Sequence, residues 1–154
     1  MSTDLAIDLL VTSARFVRYV RRRANTDTSV AEWRAVVLLD EHGPLRVSEF
    51  AALDRLSQPT ATVMLKRLVA QGIAGRTPDP QDGRASLAEL TDKGRQHLAA
   101  LRQDAGRNAA PLLTGLSADE REVLRRATQL LAGLVDEHEA PHGSNPRPGK
   151  KETS

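Results

Sequence analysis

The chain has 154 residues, 40% of them hydrophobic and 27% charged, with a formal net charge of +2 and no cysteine. That length suits one compact domain with helical extensions, and no apolar run approaches the roughly 20 residues that a membrane-spanning helix needs. Without cysteine, disulfides, thiolate metal sites, a cysteine nucleophile and a thiol redox switch are excluded. A charge this close to balance says little about polyanionic partners, so the placement of the arginines matters more than their number. The opening Met1 to Asp4 lacks the basic start and apolar middle of a signal peptide, and the expected location is the cytoplasm.

From Asp4 to about Arg23, Leu5, Leu9, Leu10, Phe16, Val17 and Val20 recur at nearly helical spacing, with Arg15, Arg18, Arg21, Arg22 and Arg23 on or near the other face. After the polar break Asn25 to Ser29, the run Val30 to Leu39 predicts a second helix that ends before Gly43-Pro44. Leu45 to Val47 is long enough for one sheet rung only. Ser48 to Leu53 reads as a short helix, and Asp54 to Ser57 connects it to a longer one with Pro59 in its first turn, ending at Gly72. Ile73 to Thr77 and Ser86 to Leu90 then flank a Pro/Asp/Gly cluster, Pro78 to Arg84, of the kind that joins two strands. Thr91 is an N-cap candidate for a helix stopped by Pro111. Ser117 to Glu120 has the S-x-x-E form of a capping box, followed by Val123, Leu124, Ala127, Leu130, Leu131, Leu134 and Val135 at helical spacing. Residues 141–154, rich in Pro, Gly, Ser, Asn and Lys, read as a disordered tail, and the chain has no internal repeat.

Helix, helix, short strand, helix, helix and two-stranded hairpin, in that order between Ala31 and Leu90, is the layout of a winged helix-turn-helix. At about 100° per residue, the helix from Gln58 gathers Ala61, Met64, Leu65 and Leu68 on one side and Pro59, Thr62, Val63 and Lys66 on the other. A helix with one packing face and one small, polar-to-basic face suits the major groove. Thr62 and Lys66 are placed to reach base edges, and Val63 either meets a thymine methyl or lies uncontacted. Gln58, Thr60 and Arg67 sit toward the edges of that face, where phosphate contacts fix register.

The stretch Leu56 to Arg76, continued by Asp79-Pro-Gln-Asp-Gly-Arg84 and Leu90-Thr-Asp-Lys-Gly94, resembles the recognition helix and wing of the MarR family. The resemblance extends over most of the chain and is specific from about Leu45 to Arg95. It implies that Arg84 enters the minor groove, whose narrowing concentrates negative potential. Asp82 would orient Arg84 or a neighbouring arginine through a salt bridge, and Arg76 would support the wing or meet phosphate. Val63 departs from the family pattern, in which many relatives have a polar or basic residue.

The resemblance also implies a homodimer built from the terminal helices, through Leu5, Leu9, Val123, Leu124, Leu130, Leu131 and Leu134. Bottom-up, the last helix has a longer apolar stripe than a small winged domain needs to cover, which marks an interface. The expected organisation is a dimerisation helix at 4–24, a winged domain at 30–95, further dimerisation helices at 96–140 and the tail at 141–154. The fold class is mainly α with a small β wing. The function that follows is a DNA-binding transcriptional regulator of repressor type, acting on a near-palindromic site. The family resemblance adds a small aromatic or anionic ligand held between the winged domain and the dimer helices. The alternative is a winged protein-interaction module without specific DNA binding.

Other features have plainer readings. Arg21 to Arg23 is either a DNA-backbone contact or a solvated helix end, where basic side chains are favourable. His138 and His142 have i,i+4 spacing, but Pro141 breaks the geometry, and the Asp79 to Gly83 segment lacks the spacing of a calcium loop. His42 and His97 have no partners in sequence, and Trp33 and Tyr19 are assigned to core packing ahead of a ligand pocket. No nucleophile triad, phosphate-cradling loop or carboxylate pair is present, so neither catalysis nor a cofactor nor a metal is expected.

Overall fold

A computed structural model describes residues 2–23 and 28–139. The tail at 141–154, His142, Ala24 and most of the polar break lie outside the described residues. The elements are α1 (Ser2–Arg23), α2 (Val30–His42), α3 (Val47–Leu53), α4 (Gln58–Ala70), β1 (Ala74–Pro78), β2 (Ser86–Leu90), α5 (Asp92–Leu113) and α6 (Ala118–Glu139). The chain divides into two compact units between Pro111 and Leu112. This is the mainly α architecture with a two-stranded wing that the sequence pattern implies.

Local chemistry explains most boundaries. Ser29 caps α2 by accepting the Glu32 backbone N–H at 3.1 Å, and α2 gives way at Gly43, whose φ of 71° lies in the region that favours glycine. Leu45 then forms the single rung: its N–H donates to the Ala88 carbonyl at 2.9 Å, and the Ala88 N–H returns the bond at 2.8 Å. Strands β1 and β2 pair antiparallel from Ala74 opposite Leu90 to Pro78 opposite Ser86. The second strand falls where the sequence places it. The first begins one residue later than expected, because the Ile73 N–H closes the end of α4 by donating to the Leu68 carbonyl at 2.9 Å.

The core of the first unit lies under the helix-turn-helix and the wing. Val36 and Leu39 of α2, Phe50 of α3, Leu65 and Leu68 of α4 and Leu98 of α5 are its largest fully buried side chains. At its edge, Gly94 is packed so closely that a Cβ there would stand 2.0 Å from the Ile73 carbonyl oxygen. Thr91 caps α5 as expected, accepting the Gly94 N–H at 3.0 Å, and its hydroxyl also donates to the Gly72 carbonyl at 2.6 Å.

Two expectations are corrected here. Pro111 does not stop α5, which runs on to Leu113. A proline this close to a helix end forfeits one bond with few turns left to disrupt. Tyr19 is not a core residue: its ring is exposed and lies 4.0 Å from the Arg23 guanidinium carbon.

In the second unit, Ser117 and Glu120 form the capping box. The Ser117 N–H donates to the Glu120 carboxylate at 2.8 Å, and the Glu120 N–H donates to the Ser117 hydroxyl at 3.2 Å. The Ser117 hydroxyl also donates to the Glu120 carboxylate at 2.9 Å, and the backbone and hydroxyl bonds from Ser117, in that order, hold the Glu120 carboxyl below its ordinary pKa.

Candidate nucleic-acid interface

The interface is built on α4. Ser57 opens it, accepting the Thr60 N–H at 3.3 Å, and Pro59 sits in the first turn, where its missing N–H loses no helical bond. The preceding turn is tight: Arg55 adopts φ 52°, an uncommon conformation for a side-chain-bearing residue. Ala61, Leu65 and Leu68 are buried and Met64 packs against them, so the inner face is the one read from the sequence. Gln58, Pro59, Thr60, Val63, Lys66 and Arg67 are exposed, Val63 at 67%.

Three members of that outer face are already engaged, the first being Thr60, whose hydroxyl shares a hydrogen bond with the Ser57 hydroxyl at 2.7 Å. The half-buried Thr62 donates its hydroxyl to the Gln58 carbonyl at 2.8 Å, so its proton is used within the helix. Arg67 reaches back to α2, where its guanidinium lies 3.1 Å from the buried Glu32 carboxylate. His97, which has no partner in the linear sequence, approaches the same carboxylate from α5 at 3.8 Å.

The wing tip is a pair of Asx turns. Asp79 accepts the Gln81 N–H at 2.8 Å, and Asp82 accepts the Arg84 backbone N–H at 3.0 Å. Asp82 forms no ion pair within 4 Å among the described residues; its carboxylate shapes the turn, and its charge adds to the field that raises Arg46. The ion pair of the wing belongs to Asp79, which is buried where the turn leaves β1 and bound by Arg46 at 2.5 Å. That bond, with the Gln81 N–H behind it, holds the Asp79 carboxyl below its usual range, and Asp79 in turn raises Arg46. Arg76 supports the opposite strand by donating to the Ser86 hydroxyl at 2.9 Å. Gln81, Asp82, Gly83 and Arg84 remain exposed around the tip.

Arg46, Asp79, Glu32 and His97 were not legible as site residues. Their pairings join positions 33 to 65 residues apart in sequence and follow no local period. Asp79 did open the stretch that resembles a wing, and that was its only signal.

A cavity of about 560 Å³ lies elsewhere in the first unit, between α1, the start of α2 and α5. Its wall is formed by Phe16, Val17, Val20 and Arg21, by Ser29, Val30 and Trp33, and by Leu101 and Ala105. Trp33, half-buried, thus lines a cavity in place of filling the core, and the Arg21 guanidinium carbon stands 5.8 Å from the centre of its ring.

A short supporting helix, an exposed-faced second helix and an antiparallel hairpin on one core define a winged helix-turn-helix protein. The MarR family model matches residues 28–86. An uncharacterized HTH-type transcriptional regulator of Mycobacterium bovis is 31% identical over 134 residues, covering 86% of this chain and 94% of that protein. The HTH-type transcriptional repressor IacR of Pseudomonas putida is 30% identical over 79 residues, half of this chain and 46% of its own. Among solved structures, a MarR family protein from Bacillus stearothermophilus has a TM-score of 0.68 at 22% identity, over 87% of this chain and 94% of that one. The chain belongs to the MarR family. It is a DNA-binding transcriptional regulator and not an enzyme.

Proposed function

We propose that the protein acts as a homodimeric, sequence-specific repressor, with α4 in the major groove and the wing in the minor groove. The observation that carries this reading is the joint exposure of Val63 and Lys66 on α4 and of Arg84 at the wing tip. Among the described residues neither Lys66 nor the Arg84 guanidinium forms an ion pair, which leaves both charges to face DNA. Gln58, Pro59 and Thr60 at the start of α4 are placed to fix register on phosphate, and Val63 supplies an apolar contact for a thymine methyl. Arg76 and Asp82 act indirectly, one bracing the wing strands and the other shaping its tip. The repressor of Pseudomonas putida supports the sign of regulation.

The dimer reading rests on exposed apolar side chains. In α1, Leu5 is 71% exposed and Leu9 is exposed as well. In α6, Val123, Leu124, Leu130 and Leu134 are exposed and Leu131 half-buried. Such stripes on two 22-residue helices exceed what a monomer ordinarily leaves to water. A two-fold dimer would set two recognition helices about 34 Å apart, matching a near-palindromic operator. Residues 4–24 and 96–140 would then serve assembly, and 30–95 DNA.

The cavity beside Trp33 is the seat proposed for a small aromatic or anionic ligand. Its wall is mostly aromatic and aliphatic, with the Arg21 guanidinium and the Asp104 carboxylate as its charged members, and a bound ligand would shift DNA affinity by as much as its own affinity differs between DNA-competent and incompetent states.

The test is a gel-shift titration against DNA selected from a random pool. Arg84→Ala should weaken binding to all sequences and lower the slope of log K against log salt by about 1, whereas Lys66→Ala should weaken binding by about 1–3 kcal/mol with altered site preference. Unchanged binding in both variants would overturn the reading.

A further inference from the structure

The ion pair between Glu32 and Arg67 has a consequence for how many charges α4 offers to DNA. Glu32 lies on the inner side of α2 with its side chain only 5% exposed. A carboxylate so placed needs a compensating cation, because an unpaired buried charge is strongly destabilising. Two basic side chains approach it. Arg67 of α4 is at 3.1 Å, while His97 of α5 stands at 3.8 Å, beyond hydrogen-bond distance, and its buried Nε2 has no hydrogen-bond partner. The close compensation therefore comes from Arg67.

Arg67 is also the residue at the edge of the DNA-facing side of α4, with its side chain 55% exposed. It cannot serve both anions equally. Moving its guanidinium to a phosphate would strand Glu32 inside the protein, whereas Lys66, one residue earlier, has no such obligation.

We propose that Glu32 is a positioning residue that holds Arg67 back from the DNA backbone, so that Arg67 is a reserve cation and not a phosphate contact. This rests on the reading of α4 as the element that meets DNA. Neutralising Glu32 would release the guanidinium and add one phosphate contact for each protomer.

Counterion release makes the difference measurable, since each neutralised phosphate steepens the slope of log K against log salt by about 0.9. Over a fourfold rise in salt, that is about a 3.5-fold additional loss of affinity for each contact. The measurement is salt-dependent binding of the full chain to a selected DNA duplex, for four variants with folding checked by circular dichroism. Glu32→Gln should steepen the slope by about 0.9 for each protomer engaged. Arg67→Gln, which keeps a donor for Glu32, should leave the native slope unchanged. The double variant Glu32→Gln with Arg67→Gln should lose the gain.

A folded Glu32→Gln protein with the native slope would overturn the proposal. So would an Arg67→Gln protein whose slope falls by about 0.9, because Arg67 would then already be on phosphate. If Glu32→Gln does not fold, the Arg67→Gln arm decides alone. Lys66→Ala separates the two levels: no effect of that variant on binding means that α4 does not face DNA, whereas a clear effect with a failed Glu32 arm refutes the reserve cation only.

Discussion

The winged unit and the long helices that flank it solve opposite problems. Between Val30 and Leu101 the buried face of every element is covered within the same chain, down to Phe50, Leu65 and Leu68 with no exposed surface. In α1 and α6, by contrast, most leucines and valines at the same helical spacing stay in water, Leu5 at 71% and Leu130 at 67%, and of that stripe in α1 Val20 is buried. Identical periodicity thus has two destinations, a core and an interface. The distinction lies in whether enough neighbouring chain exists to cover the stripe, which the period itself does not encode.

The strongest way to break the covered side of that comparison is at Gly94. Gly94→Ala would drive a methyl against the Ile73 carbonyl, backbone that cannot yield cheaply. The expected loss is about 3 kcal/mol or more in denaturant unfolding, with DNA binding lost along with the junction of wing and α5. A fully stable alanine variant would show that this junction is looser than its geometry.

On the uncovered side, Leu134→Asp should leave the winged unit folded and weaken self-association by about 3 kcal/mol, roughly a hundredfold, in sedimentation equilibrium. If it unfolds the chain instead, α6 is part of a monomer core. If it changes neither property, the proposed interface does not include Leu134.

A smaller effect sharpens the account of the wing. Because the folded Asp79 carboxyl is held below its ordinary range, its contribution to stability is fully present above the unfolded pKa and is lost as pH falls through the folded one. Melting temperature should therefore drop on acidification below the usual carboxylate range, and Asp79→Asn should be less stable at neutral pH with that part of the acid dependence removed. An identical acid profile in the variant would remove the pair with Arg46 from the explanation.

These contrasts also mark what the linear sequence could tell. The single rung at Leu45, the strand at Ser86 to Leu90 and the Ser117 and Glu120 cap were readable because each depends on a few adjacent residues. The packing face of α4 was readable because its period is regular. The reach of α5 past Pro111 was not, since proline is a stop signal whose force depends on how much helix follows. The pairing of Asp79 with Arg46 had no local signal, and neither did that of Arg67 with Glu32. Such pairs are set by tertiary approach, and residue type alone leaves several candidates.

The central claim, that α4 and the Arg84 wing together read a two-fold site, is tested most directly by hydroxyl-radical footprinting on DNA selected by the protein. The account predicts two symmetric protections about one helical turn apart, with flanking minor-groove protection that disappears in Arg84→Ala while the central pattern remains. A single asymmetric protection, or flanks unaffected by loss of Arg84, would contradict it.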